Sequence, residues 1–221
     1  MSDDIATRLS RLDACAISDA LDQLGLPPSV TGFGSQAAKR RISGSIITVK
    51  LAKGKPPVGT TARHLCTTAI DMAAPGQVIV VEQRTGVECA GWGGILSNAA
   101  RGRGVSGVIV EGLARDVDEA ADIGFPVYAR GCTARTARGR IYEIATGEPI
   151  RVGDVTVATG DWVVADGSGA AFVPADRIED VLNAADRIAA REAGMTKAVL
   201  AGHPVSTVMG GDYEHLLETT A

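Results

Sequence analysis

Between Gln77 and Arg130 three short apolar runs, QVIVVE, VSGVIVEG and FPVYAR, alternate with two segments of helical character, near Gly94 to Arg103 and near Asp116 to Ile123. Runs this continuous leave few positions for a wet face, so they read as strands covered on both sides. A helix between successive strands makes each return a crossover, and crossovers of this kind join parallel strands with a right-handed turn. The βαβαβ centre fixes the fold class as α/β, with helical layers around a central mixed β core.

The flanks extend this unit. Ile5, Leu9 and Leu12, then Ile17, Leu21 and Leu24, recur at helical spacing and stop at Gly25, which predicts two short helices forming an outer layer. RISGSIITVKL, Arg41 to Leu51, is rich in β-branched residues and reads as a strand; KGKPPVGT reads as a loop, and a helix is expected from about Thr61 to Met72. From Arg140 to Val173 short β segments break at Gly147, Gly153, Gly160 and Gly167, an antiparallel or mixed extension of the same core. A last helix is expected to start at Asp176 as its N-cap and run to about Ala193, before Gly194.

A length of 221 residues with 45% hydrophobic content suits one domain over residues 1–221 with a core of its own. No run is long and apolar enough to span a membrane, and MSDDIATRLSRL lacks the pattern of a signal peptide, so neither a membrane nor export is expected and the chain is read as cytoplasmic. The net charge of −4 gives no general attraction to nucleic acid, although Arg130, Arg135, Arg138 and Arg140 form a local basic run, read as a solvated loop. Cys15, Cys66, Cys89 and Cys132 are scattered without a C-x-x-C pair and are expected as buried thiols.

Gly102, Gly104 and Gly107 spell G-x-G-x-x-G, but they close a helix and lead into a strand, the reverse of what a dinucleotide site needs. The more informative placement follows from the sheet. If QVIVVE and SGVIVEG are neighbouring parallel strands, the loops Gln83 to Gly94 and Gly112 to Asp116 both leave at their carboxyl edge, where open α/β sheets bind ligands. Gly93 and Gly94 allow close approach to backbone, the free amides of Gly94, Ile95 and Leu96 suit a carboxylate, and Arg115 suits the same or an adjacent oxyanion. Against these stand a simple turn at Gly93-Gly94 and a solvated arginine. Asp116 has the chemistry of a cation ligand and, with Glu119, the spacing of a capping box; the residues leave both open. Glu192 falls on the apolar stripe of the last helix, so it either reaches water at a fraying end or points into a site or interface. Lys50, at a strand end, has Schiff-base chemistry but the setting of a solvated lysine.

The order Gly94, twenty residues, Arg115-Asp116, two residues, Glu119 resembles the signature of the family containing the regulator of ribonuclease activity A and the 4-hydroxy-4-methyl-2-oxoglutarate/4-carboxy-4-hydroxy-2-oxoadipate aldolases. SDALDQLG, PGQVIVVE, GWGGILSNAARGRGVSGVIVEGLARD, FPVYARG and GDWVVADGSGAAFVP follow in family order over nearly the full chain. The resemblance implies a fold of the swivelling phosphohistidine-domain type, assembled as a homotrimer or dimer of trimers with sites between subunits. It implies that Arg115 binds a 2-oxo acid and stabilises its enolate, that Gly93, Gly94, Ile95 and Leu96 bind the pyruvyl carboxylate, and that Asp116 holds a divalent metal, Mg²⁺ or Mn²⁺, directly or through water. Glu192 looks like the outer-shell carboxylate supplied by a neighbouring subunit. One departure stands out: aldolases of this family for hydroxy-oxoadipate substrates carry an aspartate where this sequence has Gly94.

The resemblance thus makes Arg115, Asp116 and Glu192 the expected catalytic residues of a metal-dependent lyase that cleaves a 4-hydroxy-2-oxo dicarboxylic or tricarboxylic acid to pyruvate, decarboxylates oxaloacetate, or does both, through a pyruvate enolate. The alternative from the same resemblance is a non-catalytic regulator of ribonuclease activity, acting through protein contacts.

Overall fold

The structure, a computed structural model, describes residues 4–59 and 63–210. Two helices, α1 (Ile5–Arg11) and α2 (Ala14–Gln23), lead to strands β1 (Gly34–Ala37) and β2 (Ile42–Lys53) and a short helix α3 (Thr67–Met72). The centre runs β3 (Val78–Glu82), β4 (Ala90–Trp92), α4 (Gly94–Gly102), β5 (Gly107–Ala114), α5 (Val117–Asp122) and β6 (Val127–Cys132). Five more strands follow, β7 (Ile141–Thr146), β8 (Ile150–Val152), β9 (Val155–Val157), β10 (Trp162–Asp166) and β11 (Gly169–Val173), then helices α6 (Ile178–Leu200) and α7 (Val205–Val208).

The expected βαβαβ unit is present. Strands β2, β3, β5 and β6 lie side by side and parallel, with β1 antiparallel on one edge and β10 and β11 continuing antiparallel beyond β2. Alternate residues face opposite ways along each strand, and both faces are dry. Ile47, Val49, Ile79, Val81, Val108 and Val110 meet α3, α4 and α5 through Ile70, Leu96, Ala100 and Ala120. On the other face Ile46, Val80, Ile109 and Tyr128 share a core with Val152 and Val157 of the β8–β9 hairpin and with Phe172 of β11. Phe172 and Tyr128, from strands far apart in the sheet order, share this core because the sheet curls over itself, and the bridge between Val30 and Ala170 helps draw the curl together. The outer side of β10 and β11 carries α1, α2 and α6, packed through Leu9, Ile17, Leu21, Val181 and Leu182. The architecture is thus a curled mixed sheet with helices on both outer sides.

Several boundaries differ from expectation for identifiable reasons. Residue 61, where a helix was expected to begin, lies outside the described residues; α3 starts at Thr67, after Cys66 takes a left-handed conformation at φ 66°. The stretch from Gln83 to Gly94 is not all loop, since Ala90 to Trp92 pairs with Leu113 and Ala114 of β5 where β3 has ended. Gln83 fills the gap: its side-chain amide accepts from Leu113 N at 3.1 Å and donates to the Cys89 carbonyl, so a side chain replaces the missing strand contacts. Asp176 does not cap the last helix; it sits in a 3-10 turn, and α6 begins at Ile178. Nor does Gly194 stop that helix, which continues to Leu200. An internal glycine costs about 1 kcal/mol relative to alanine, and a single cost of that size does not end a helix whose following residues favour it. The first true stop is Gly202 at φ 92°, just ahead of Pro204. Cys66 and Cys89 are buried as expected, but Cys15 and Cys132 are exposed.

Candidate active site

Strand register brings the two walls of the site together. Trp92 pairs with Ala114, and the next amide, Arg115 N, donates to Trp92 O at 3.0 Å, so Gly93-Gly94 and Arg115-Asp116 leave the sheet side by side. Trp92 anchors this edge from below: it is 1% exposed, stacks on Phe125 and donates through Nε1 to Ser97 Oγ at 2.9 Å. Ser97 Oγ in turn donates to Gly93 O, tying the first turn of α4 to the core.

Asp116 does not form a capping box. It precedes α5 in a left-handed conformation, φ 55° and ψ 38°, a strained choice for a non-glycine residue, and makes no side-chain cap. Its side chain turns instead toward α4, where Oδ2 accepts from Gly94 N at 3.0 Å and lies 3.2 Å from Arg115 Nε. The Asp116 carboxylate therefore occupies the first free amide of α4, as the positive end of a helix favours. The amides of Ile95 and Leu96 also precede the first intrahelical bond, Ser97 N to Gly93 O at 3.0 Å. Ile95 presents its side chain to solvent, whereas Leu96 is buried.

Glu119 is the residue whose place the sequence did not reveal. Of the two readings its spacing left open, the capping box would have it reach back to its own helix. Instead Oε1 accepts from Asn98 Nδ2 at 2.7 Å across to α4, and Asn98 also donates to Gly94 O at 3.0 Å. A Cβ added at Gly94 would lie 2.6 Å from Glu119 Cδ, and one added at Gly93 would lie 3.0 Å from Asp116 Oδ2. The paired glycines are thus not a mere turn: each lacks a side chain because an acidic side chain of the facing segment fills that space.

Gly93, Gly94, Arg115 and Asp116 border a small cleft of about 80 Å³ whose remaining wall comes from elsewhere in the chain, while Glu119 does not line it. His64 and Leu65, ahead of α3, and Thr136 to Arg138, between β6 and β7, line it together with Gly94 and Arg115. The basic run is dispersed rather than one solvated patch. Arg130 pairs with Glu111 at 2.8 Å and lies over the Phe33 ring, Arg135 pairs with Glu88 at 2.9 Å, and Arg138 alone of the four lines the cleft. Lys50 lies 4.0 Å from Glu82 in an ion pair at the strand end.

Glu192 does not line this cleft within the chain. It stands well inside α6, so it is not at a fraying end, and it borders a groove with Met195, Val199 and Leu200. Although the residue as a whole is exposed, partial desolvation of the carboxyl, followed by the charges of Asp19 and Asp13, pushes it up from the ordinary value.

The carboxylate oxygens around the start of α4 fit a hard divalent cation. Asp116 and Glu119 face the same helix start; both Asp116 contacts use Oδ2, and Mg²⁺ or Mn²⁺ takes one or two carboxylates while keeping several waters. Among the described residues no group of three or more His, Cys, Asp or Glu gathers, so they form no closed cage for a metal.

Comparison with known proteins adds the family. The chain is 28% identical over 205 residues to protein DlpA of Legionella pneumophila, covering 91% of this chain but a third of that much longer protein. A protein of Halalkalibacterium halodurans provisionally named 4-hydroxy-4-methyl-2-oxoglutarate aldolase is 28% identical over 197 residues, covering 89% of each chain. The crystal structure of an uncharacterized protein from Pseudomonas syringae pv. tomato superposes with a TM-score of 0.82 at 28% identity, over 93% of this chain and 96% of that one. Residues 14–172 match the family described as RraA-like, Aldolase/RraA, and with the sheet, the paired glycines and the Arg115-Asp116 corner in place, the chain belongs to the RraA-like family.

Proposed function

We propose that the cleft at the start of α4 is the active site of a carbon–carbon lyase that acts on 2-oxo acids through a pyruvate enolate, with Mg²⁺ or Mn²⁺ as cofactor. The observation that carries this reading is the convergence of Gly93-Gly94, Arg115, Asp116 and Glu119 on one helix start. The aldolase name carried by the Halalkalibacterium relative supports a small 2-oxo acid as substrate.

Each residue then has a task set by its chemistry. The amides of Ile95 and Leu96 bind the pyruvyl carboxylate, since Gly94 N already serves Asp116. Arg115 is held through Nε by Asp116, which leaves its two terminal nitrogens for the oxygen at C2. Asp116, with Glu119 beside it, would hold the cation. When bound, the cation supplies Lewis acidity that stabilises negative charge on the 2-oxo group. In retro-aldol cleavage the C4 hydroxyl loses its proton, the C3–C4 bond breaks toward C3, and the electron pair becomes the enolate of pyruvate beside a new carbonyl compound. Arg115 stabilises the enolate oxygen, and protonation at C3 gives pyruvate. Decarboxylation of oxaloacetate leaves the same enolate and needs the same groups.

Glu192 enters as a carboxylate delivered by a neighbouring copy in a homotrimer or dimer of trimers. It is exposed, sits in mid-helix, and adjoins apolar side chains such as Leu200, 83% exposed, that an adjoining subunit would cover. The family description also covers RraA, which leaves a protein-binding regulator as the second reading. The test is pyruvate release from a panel of 4-hydroxy-2-oxo acids and oxaloacetate, with Mg²⁺ and with chelator. Arg115→Ala should lower kcat/KM by about two orders of magnitude, the loss expected for one oxyanion donor. No release from any compound with metal present would transfer the case to the regulator.

A further inference from the structure

Among the described residues three polar side chains are buried, Thr48, Gln83 and Ser97, and two of them serve the short strand β4. Ser97 holds its far end through Trp92 and Gly93. Gln83 holds its near end, where β4 and β5 are both irregular. Ala90 pairs with Leu113 and Trp92 with Ala114, so β4 carries one extra residue, Gly91. Val110 pairs with Ala129 but Leu113 with Gly131, so β5 likewise carries one extra residue across Glu111 and Gly112. Gln83 lies against both bulges: a Cβ added at Gly91 or at Gly112 would fall 2.5 Å from its Oε1. The amide also spans the two strands, accepting from Leu113 N at 3.1 Å and donating to Cys89 O. A buried amide costs free energy unless its bonds are made, and these bonds form only with both strands held at one offset. Bulges re-aim the chain beyond them. Beyond Gly91 the chain leads to Gly93 and beyond Gly112 to Arg115, where Arg115 N donates to Trp92 O at 3.0 Å. Gln83 itself does not line the cleft.

We propose that Gln83 is a positioning residue for the reaction at the cleft: its amide, seated on both bulges, sets the offset between Gly93-Gly94 and Arg115 without touching substrate. This rests on the 2-oxo acid reading of the cleft. There the amides of α4 hold the carboxylate of the bound acid, and Arg115 meets the charge that develops on its 2-oxo oxygen. A changed offset leaves the first contact in place and weakens the second. Turnover should then suffer rather than binding, and a misplacement of about 1 Å can cost about a hundredfold in rate.

The experiment follows exchange of the pyruvate methyl protons for deuterium by the intact protein with Mg²⁺, giving kcat and KM. Gln83→Met keeps the length of the side chain and loses both bonds. Its kcat should fall about 10- to 100-fold with KM for pyruvate near wild type. Thr48→Val is the control: it removes a buried hydroxyl bonded to Glu148 O at 2.7 Å and Thr159 Oγ1 at 2.8 Å, at a residue that does not line the cleft. It should lower stability to urea and leave kcat unchanged. Gln83→Glu supplies a rescue, because the protonated acid reproduces the donor and the acceptor of the amide. Around it stand Gly91, Gly112, Leu113 and Cys89, of which the Cys89 thiol, 3.9 Å from Nε2, is the one that titrates. The kcat of Gln83→Glu relative to wild type should therefore rise toward one as pH is lowered. A folded Gln83→Met protein with kcat unchanged, a loss confined to KM, or an equal fall of kcat in Thr48→Val overturns the assignment of Gln83 and leaves the lyase reading standing. If Gln83→Met does not fold, a Gln83→Glu ratio that stays flat with pH overturns it instead. Exchange by wild type no faster than with Mg²⁺ alone overturns the 2-oxo acid reading and this inference with it.

Discussion

Gly94→Ala tests whether Glu119 belongs to the cation site. The added methyl would fall 2.6 Å from Glu119 Cδ, closer than any real contact, so the carboxylate must swing away and give up its bond from Asn98 Nδ2. Folding should hardly register the change. Alanine in place of glycine favours the helix by up to about 1 kcal/mol, and an exposed side-chain hydrogen bond is worth about the same in the other direction. Cation binding should register it strongly, because one of two carboxylates is displaced. An affinity loss of about 10- to 100-fold is expected, by analogy with removal of a supporting group at other metal sites. Mn²⁺ titration followed by the free-ion electron paramagnetic resonance signal measures this directly, with urea unfolding as the control. Glu119→Gln should produce a similar loss, and the double variant should be little worse than either single one, since both act on the same carboxylate. Additive losses, or a Gly94→Ala protein that binds Mn²⁺ as tightly as wild type, would refute the role given to Glu119.

Three further outcomes follow from other parts of the structure. Glu192 has a raised carboxyl pKa, so the folded chain binds more protons than the unfolded one above the ordinary glutamate range, and stability falls as pH rises through that window. Glu192→Gln should therefore raise the melting temperature at neutral pH, with the gain shrinking as the pH is lowered toward 4; a gain independent of pH would contradict the cause. If the site lies between copies, mixing inactive Arg115→Ala with inactive Glu192→Ala protein, after subunit exchange, should recover activity through hybrid sites, and no recovery would place Glu192 outside the site. Trp92→Phe removes the donor to Ser97 and part of a fully buried ring, and should cost about 1–3 kcal/mol in urea unfolding; a cost below about 0.5 kcal/mol would mean that Trp92 does not anchor the α4 edge.

The parts legible in the sequence were those written in runs of one residue type. QVIVVE and SGVIVEG declare buried parallel strands, and once they are neighbours the meeting of Gly94 with Arg115 follows from topology. Short elements held by tertiary contacts carried no such signal. β1, GSQA, has no apolar alternation, and β4, AGW, exists because β5 extends beyond the end of β3 and offers it unpaired backbone. Gly194 misled because a glycine ends a helix when it takes a left-handed cap, and here it does not. Asp116 and Glu119 were ambiguous for a deeper reason: the same spacing serves a cap or a cross-helix contact, and the left-handed backbone at Asp116 decides between them. Arg138 lies more than twenty residues from Arg115, and only the anchored segment between β6 and β7 shows that it shares the cleft.

The central claim is that this cleft forms a pyruvate enolate, and hydrogen exchange tests it without knowledge of the natural substrate. Pyruvate incubated with the protein and Mg²⁺ in deuterated water should lose its methyl proton signal faster than with Mg²⁺ alone. The exchange should stop on adding chelator and fall by about two orders of magnitude in Arg115→Ala. Exchange no faster than with Mg²⁺ alone, or unchanged in Arg115→Ala, would contradict the account.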